Sequence, residues 1–270
     1  MAGTDGLAGW NRPLLLIGCG NMAGAILARW LDSGLRPHLV HVVDPAQPSP
    51  ASGVTVDSVL PESIAPGTLV LLGIKPQSLG AVAPDLNARL GEGCTILSML
   101  AGLPLSLLRG AFPAAEHVVR MMPNLPVRSG QGVVLTYAEA TDPTLDMLLS
   151  PLGLIEPLSA ESDFDLGTAL SGCGPAYVYR FIDALAVAGA RLGLPQDQAG
   201  RLARQTVAGA ASAAARSATA PAAMADAVAS PGGMTRVGLD ILDADERLID
   251  LLTDTLRAAR DRGAELAAAT

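Results

Sequence analysis

The sequence predicts an α/β domain with a parallel-rich sheet over residues 1–160, followed by an all-helical domain over 161–270. Two observations predict this. Short apolar runs alternate with helical or turn stretches in the first part, the pattern of a parallel sheet with helices on its faces. After about residue 160 strand patterning stops, and alanine-rich helix formers dominate.

The elements follow in order. "LLLIG" (14–18) is an apolar run ending in glycine, the first expected strand. "AGAILARWLDSG" (23–34) is an expected helix with Gly34 as its stop. "LVHVVD" (39–44) is the second strand, and Pro48, Pro50, Pro61 and Pro66 mark a loop-rich edge. "TLVLLGI" (68–74), "CTILSML" (94–100), "HVVRMM" (117–122) and "GVVLTY" (132–137) are further strands. Strand order cannot be read from these runs. The later stretches "DFDLGTALSGCGPAYVYRFIDALAVAGARLG", "PQDQAGRLARQTVAGAASAAARSA" and "DERLIDLLTDTLRAARDRGAELAAA" are helical, with small-residue faces that permit close approach.

Composition narrows the function. At 270 residues the chain can bury a sizeable core. Net charge is −8, no basic run is present and only 3% of residues are aromatic, which disfavours a nucleic-acid partner. Cys19, Cys94 and Cys173 form no CxxC pair and no metal pattern, so a reduced, cytoplasmic setting is expected and no metal. Arg12 followed by "PLLLIGCGNMAGAILA" has the look of a signal peptide. Asn21 interrupts the apolar run, however, and the glycines are spaced for a turn. No uncharged apolar stretch reaches 18 residues, so no membrane span is expected.

The chemistry begins at "GCGNMAG" (18–24), between the first strand and the first helix. Gly18, Gly20 and Ala23 fit the G-x-G-x-x-G/A fingerprint of a Rossmann-type dinucleotide site. Gly18 permits the tight turn, Gly20 lets backbone approach a pyrophosphate, and Ala23 lets helix pack on strand. The helix N-terminus then offers free N–H groups to phosphate. The plainer alternative is a tight strand–helix turn with no ligand. Asp44 lies 24 residues after Gly20, where a carboxylate would accept from ribose hydroxyls and repel a 2′-phosphate. The plainer alternative is a solvated aspartate opening the turn at Pro45.

Lys75 is the one lysine among 18 basic residues. It follows an apolar strand in "GIKPQ" (73–77), at the sheet edge where ligands of open α/β sheets bind, and a cofactor-lining role is favoured over a surface one. "SMLAGLP" (98–104) and "MMPNLP" (121–126) leave later strands in the same way; each could be an ordinary exit loop, and together they would form the nicotinamide side of a cleft. After His117 there is no histidine, and after Lys75 no lysine. Carbonyl reduction normally wants a positioned proton donor; Tyr177 and Tyr179 are the remaining candidates, though a tyrosine in a helix is more often a core residue. An imine nitrogen can carry its own proton, so imine reduction asks mainly for positioning. "SPGGMT" (230–235) supplies hydroxyls and glycine N–H groups of the kind that grip a carboxylate, in a stretch that is otherwise helical.

The ordered set "GCGNMA", "GIKPQ", "SMLAG", "MMPNLP", "SGCGPAYVY", "DALAVAGARLGLP", "QTVAGAA" and "DAVASPGGMT" resembles the pyrroline-5-carboxylate reductases over nearly the whole chain. The resemblance implies NADPH- or NADH-dependent reduction of 1-pyrroline-5-carboxylate to L-proline. It also implies a helical dimerisation domain and a homodimer or higher homo-oligomer. Residue by residue, it implies cofactor contacts from Gly18, Cys19, Gly20, Asn21, Met22, Ala23, Asp44, Ile74, Lys75, Pro76, Ala101, Gly102 and Asn124. Substrate contacts would come from Glu161, Ser230, Gly232, Gly233 and Thr235, with Thr235 also in the catalytic role. A helix–helix turn capped by serine is the alternative for that last motif.

Three departures stand out. "APAAMAD" (220–226) lacks the family's His and Lys, Cys173 replaces a usual serine, and Leu60 stands nearest a usual asparagine. Two other function classes compete. A β-hydroxyacid dehydrogenase would need a lysine in the helical domain, and this chain has none there. A non-catalytic NAD(P)-binding regulator would show no imine-dependent cofactor oxidation.

Overall fold

The computed structural model describes residues 6–140 and 142–268. Contacts divide the chain into two compact units, one running through Cys173 and including the segment from Ala259 on, the other Gly174–Ala258.

The first unit is built on an eight-stranded sheet: β1 (Leu14–Ile17), β2 (Val40–Val43), β3 (Thr55–Asp57), β4 (Leu69–Leu72), β5 (Thr95–Ser98), β6 (His117–Pro123), β7 (Gly132–Tyr137) and β8 (Gly153–Pro157). Its order is β3-β2-β1-β4-β5-β6-β7-β8. All neighbours are parallel except β6 and β7, which pair antiparallel with Arg120 opposite Tyr137. All six expected strands are present. β3 and β8 were not foreseen: β3 has only three residues and no buried one, and β8 is a largely exposed edge ending in proline.

The helices of this unit are α1 (Asn21–Asp32), α2 (Leu79–Arg89), α3 (Leu105–Ala111), α4 (Leu145–Leu149) and α5 (Phe164–Gly167). Alternate strand residues point to opposite faces, and both faces are covered. Leu14, Leu16, Val42, Leu69 and Leu71 pack with Ile26, Leu27 and Trp30 of α1. Leu15, Ile17, Val70, Leu72 and Ile96 pack with Leu86 of α2 and Leu108 of α3. Double coverage is why the central strands are continuous apolar runs.

The second unit is helical, as expected. It contains α6 (Gly174–Arg191), α7 (Gln196–Ala215), α8 (Pro221–Ala227), α9 (Met234–Asp243) and most of α10 (Arg247–Ala268). α6 and α7 pack on each other, yet α6 buries no residue completely. Phe181, Leu185, Val237, Ile241, Ile249 and Leu251 are exposed. No described helix is long and apolar enough to cross a membrane.

One polar node ties distant parts of the first unit together. Asp142 is buried and accepts from Arg12 Nη1 at 2.5 Å, Thr95 Oγ1 at 2.7 Å, and both the N–H and Oγ1 of Thr144 at 2.9 and 2.7 Å. Burial opposes ionisation of its carboxyl. The bonds from Thr95, Arg12 and Thr144 outweigh that, and hold it well below its ordinary 3.8. A depressed folded value stabilises the fold above the unfolded value, and that contribution is lost as pH falls through the folded one. Asp142→Asn should therefore destabilise the protein by about 3 kcal/mol at neutral pH, since it leaves Arg12 without its counter-charge. The gap from wild type should narrow below about pH 4. Melting temperatures of both proteins from pH 7 to pH 2 check this. A gap that stays constant with pH would contradict it.

Candidate cofactor and substrate sites

The switch in strand order falls between β1 and β4, where connections leave in opposite directions and open a crevice at the strands' C-terminal ends. Two glycines line it. Gly18, directly after β1, has φ +83°, and its N–H bonds Val43 O at 2.8 Å. Gly73, directly after β4, bonds Ile17 O at 2.8 Å. A Cβ on Gly73 would lie 2.6 Å from Gly18 O and 2.8 Å from Ala23 Cβ. One on Gly18 would lie 2.9 Å from Gly73 O. Neither position has room for a side chain.

These glycines open onto a cavity of about 530 Å³ lined by Gly18, Gly20, Asp44, Ile74 and Lys75 among the expected cofactor residues. Ser58, Leu60, Ser78 and Asp85 also line it. Gly20 is the N-cap of α1 and has no side chain to close the helix end. The first N–H groups of α1, from Asn21 on, therefore lie beside the cavity's glycine wall without a cap. Ala23 is buried against Gly73, as the fingerprint requires, and Met22 packs against the core. A glycine wall, an uncapped helix end and a carboxylate suit a dinucleotide's pyrophosphate and ribose.

Asp44 closes a turn and also lines the cavity. Its Oδ1 accepts from Ala46 N at 2.9 Å, closing the turn at Pro45, and its Oδ2 accepts from Cys19 N at 2.8 Å. Each oxygen keeps a lone pair for a ribose hydroxyl. The carboxylate thus fixes the phosphate loop while lining the cavity. Burial, and then Asp44's charge, push the Cys19 thiol up, so it stays protonated.

The other expected cofactor residues lie along the same sheet edge but outside this cavity. Pro76 begins a 3₁₀ turn beyond the exposed Lys75. Ala101 and Gly102 sit in the loop after β5. Asn124 follows β6, and its amide is used within the fold: Nδ2 donates to Ser171 O at 2.9 Å and Oδ1 accepts from Val133 N at 2.9 Å. Glu161 has an unforeseen setting. Its Oε1 accepts from Leu105 N at 2.6 Å and pairs with Arg120 Nη1 at 2.5 Å.

Ser230, Gly232 and Gly233 lie on the second unit between α8 and α9, and Thr235 is in the first turn of α9. Ser230–Gly233 closes with Gly233 N–H to Ser230 O at 2.9 Å. Pro231 in second place and Gly232 at φ +70° in third are the marks of a type II turn. A Cβ on Gly233 would lie 2.5 Å from Ser230 Oγ. Gly233, not serine or threonine, is the N-cap of α9, and no side chain caps that helix. The first intrahelical bond at this end runs from Val237 N to Gly233 O at 3.2 Å, ahead of which lie the N–H groups of Met234, Thr235 and Arg236. Arg236 Nη2 bonds Asp226 Oδ1 at 2.5 Å, bracing the turn from α9 to α8.

Sequence reasoning missed Gly73, Ser58 and Arg120 as site-forming residues. Gly73 had a signal, a glycine ending an apolar run. Arg120 had none beyond being a charge inside one. Among the described residues no group of three or more His, Cys, Asp or Glu is placed to hold a metal.

The prediction here concerns the glycine wall. Gly73→Ala forces backbone apart, whereas Gly80→Ala on α2 meets nothing within 4 Å. Gly73→Ala should weaken NADH binding by about tenfold or more, the scale of a 1.4 kcal/mol loss, and Gly80→Ala should leave it unchanged. Fluorescence titration of both variants decides; equal affinities would remove the glycine pair from the site.

Comparison with known proteins completes the description. Residues 161–266 match the family model described as pyrroline-5-carboxylate reductase dimerisation. Residues 14–102 match the model for NADP oxidoreductase, coenzyme F420-dependent. The chain is 34% identical over 266 residues to a pyrroline-5-carboxylate reductase of Pseudomonas aeruginosa, covering 94% of this chain and 96% of that one. A pyrroline-5-carboxylate reductase structure from Coxiella burnetii superposes with a TM-score of 0.85 at 28% identity, covering 95% of this chain and 98% of that one. A Plasmodium falciparum pyrroline carboxylate reductase with NADP bound shares the fold, with a TM-score of 0.79 at 24% identity over 95% of this chain and 98% of that one.

Proposed function

The chain belongs to the pyrroline-5-carboxylate reductase family, and on that premise we propose how its residues divide the work. The reaction is NAD(P)H-dependent reduction of the C=N bond of 1-pyrroline-5-carboxylate to L-proline, in proline biosynthesis. The observation that carries the residue assignment is the glycine-walled cavity at the β1–β4 switch, which only backbone can line so closely.

When bound, NADPH or NADH supplies the hydride. Gly18, Cys19, Gly20, Asn21, Met22 and Ala23 would hold the pyrophosphate and Asp44 the adenosine ribose, while Ile74 and Lys75 would line the cavity with Pro76 just beyond them. Ala101, Gly102 and Asn124 belong to the nicotinamide side. The turn at 230–235 would hold the substrate carboxylate: Ser230 and Thr235 donate hydroxyls, and Gly232 and Gly233 give the turn its shape. The first N–H groups of α9 then face an anion without a competing side-chain cap. Glu161 would contact the substrate through Oε2, since only its Oε1 serves Leu105 and Arg120. The imine nitrogen carries its own proton, so orientation by Thr235 and its neighbours is the chain's main contribution. Residues 1–160 thus serve the cofactor, and the helices of the second unit serve the substrate and the subunit contact. We place the enzyme in the cytoplasm as a homodimer or larger assembly through the exposed apolar faces of α6, α9 and α10.

The direct test uses purified protein with pyrroline-5-carboxylate and each cofactor, followed at the nicotinamide absorbance. Thr235→Ala removes a hydrogen bond to a charged acceptor, worth about 1.5–3 kcal/mol, so kcat/KM for the imine should fall roughly 10- to 150-fold. NADH affinity should hold. Because Thr235 is not the helix cap, its melting temperature should barely move. A lowered melting temperature with normal imine kinetics would refute the carboxylate role.

Asp44 yields a second prediction. Its charge faces the place of a 2′-phosphate, and no arginine follows it closely. NADH should be used at least as well as NADPH; a tenfold or greater kcat/KM preference for NADPH would contradict this. A third concerns assembly: light scattering at micromolar concentration should show a dimer or larger, and a monomer would overturn the interface.

A further inference from the structure

Arg120 lies on β6 and is only 5% exposed. Its guanidinium stacks over Phe164, with Cζ 3.8 Å from the ring centroid, and pairs with Glu161 at 2.5 Å, while Nε is buried with no partner. An ion pair with its arginine buried and its carboxylate half-buried is a poor way to stabilise a core. What sets this one apart is the second bond to the same oxygen: Glu161 Oε1 also accepts the N–H of Leu105, the first residue of α3. Pro104, the N-cap of α3, supplies no side-chain cap of its own.

The loop between β5 and α3 runs from Ser98 to Leu105 and carries Ala101 and Gly102. Ser98, where it departs, lies directly opposite Arg120 in the β5–β6 register. Leu105, where it ends, is held by the carboxylate that Arg120 orients. Both ends of the loop are therefore tied to Arg120, one by strand pairing of its backbone and the other through the carboxylate that its guanidinium holds.

We propose that Glu161, oriented by Arg120, is a positioning residue that fixes the 98–104 loop for the nicotinamide end of the cofactor. This rests on the reading above that the loop faces the nicotinamide. The adenine and pyrophosphate sites, on β1, β2 and β4, make no use of the pair. Loss of the anchor should therefore weaken the nicotinamide half of the cofactor's binding alone.

Two double variants of the full chain test it, both free of an unpaired buried charge. Arg120→Met/Glu161→Gln keeps an oxygen that can accept from Leu105, and Arg120→Met/Glu161→Ala does not. The probes are NADH and ADP-ribose, which lacks nicotinamide. NADH should bind about fivefold or more weakly to the alanine variant than to the glutamine variant, the scale of one lost hydrogen bond. ADP-ribose should bind both equally. Equal NADH affinities, or a parallel loss of ADP-ribose, would overturn the positioning role. Ala101→Trp, at an exposed site in the wild-type background, separates the premise: it should weaken NADH and spare ADP-ribose. If it weakens NADH while the double variants match, only the positioning role fails. If it leaves NADH unchanged, the loop does not face the nicotinamide, and the proposal falls with that reading.

Discussion

Gly18 and Gly73 approach each other across the ends of β1 and β4 more closely than any side chain would allow. The cofactor half of the molecule depends on that constraint. Because the backbones meet there, α1 starts beside the switch point, Ala23 packs under Gly73, and the cavity has a wall of main chain. Phosphate oxygens can approach N–H groups there at a distance that a Cβ would prevent. The doubly covered sheet holds this geometry rigid, since its central strands are buried on both faces.

Carboxylates hold the less regular parts in place. Asp44 bonds the Cys19 N–H and its own turn, so one side chain fixes two loops at the cavity's rim. Asp142 gathers Arg12, Thr95 and Thr144 from three places in the chain. Glu161 joins β6 to the start of α3. In each case an acid's lone pairs satisfy donors that secondary structure leaves over. The turn before α9 is the opposite case. α9 starts at a glycine with no side-chain cap, and an anion complements such a helix end.

Much of this was legible in the sequence. The six apolar runs became strands because burial on both faces demands continuous hydrophobicity, and the glycine fingerprint gave the strand–turn–helix it implies. β3 and β8 were not legible: an edge strand partly facing water needs no apolar pattern, and its pairing comes from its neighbours. At the site, glycines and the SPGG turn were readable because backbone geometry is coded locally. Arg120 and Glu161 were not read as partners, because they meet across 41 residues and no local pattern records such contacts. Asn124 was read as a cofactor contact from its place after a strand; that its amide also bonds Ser171 and Val133 only the fold reveals.

The central claim is a division of labour, with the cofactor's phosphates against the glycine wall of the first unit and the substrate's carboxylate on the uncapped start of α9 in the second. A crystal structure of the full chain with NADH and L-proline tests it most directly. The account predicts pyrophosphate over Gly18–Ala23 and the proline carboxylate bonded by Ser230, Thr235 and the first N–H groups of α9. A carboxylate held instead by Lys75 or an arginine, with the 230–235 turn making no contact, would contradict it.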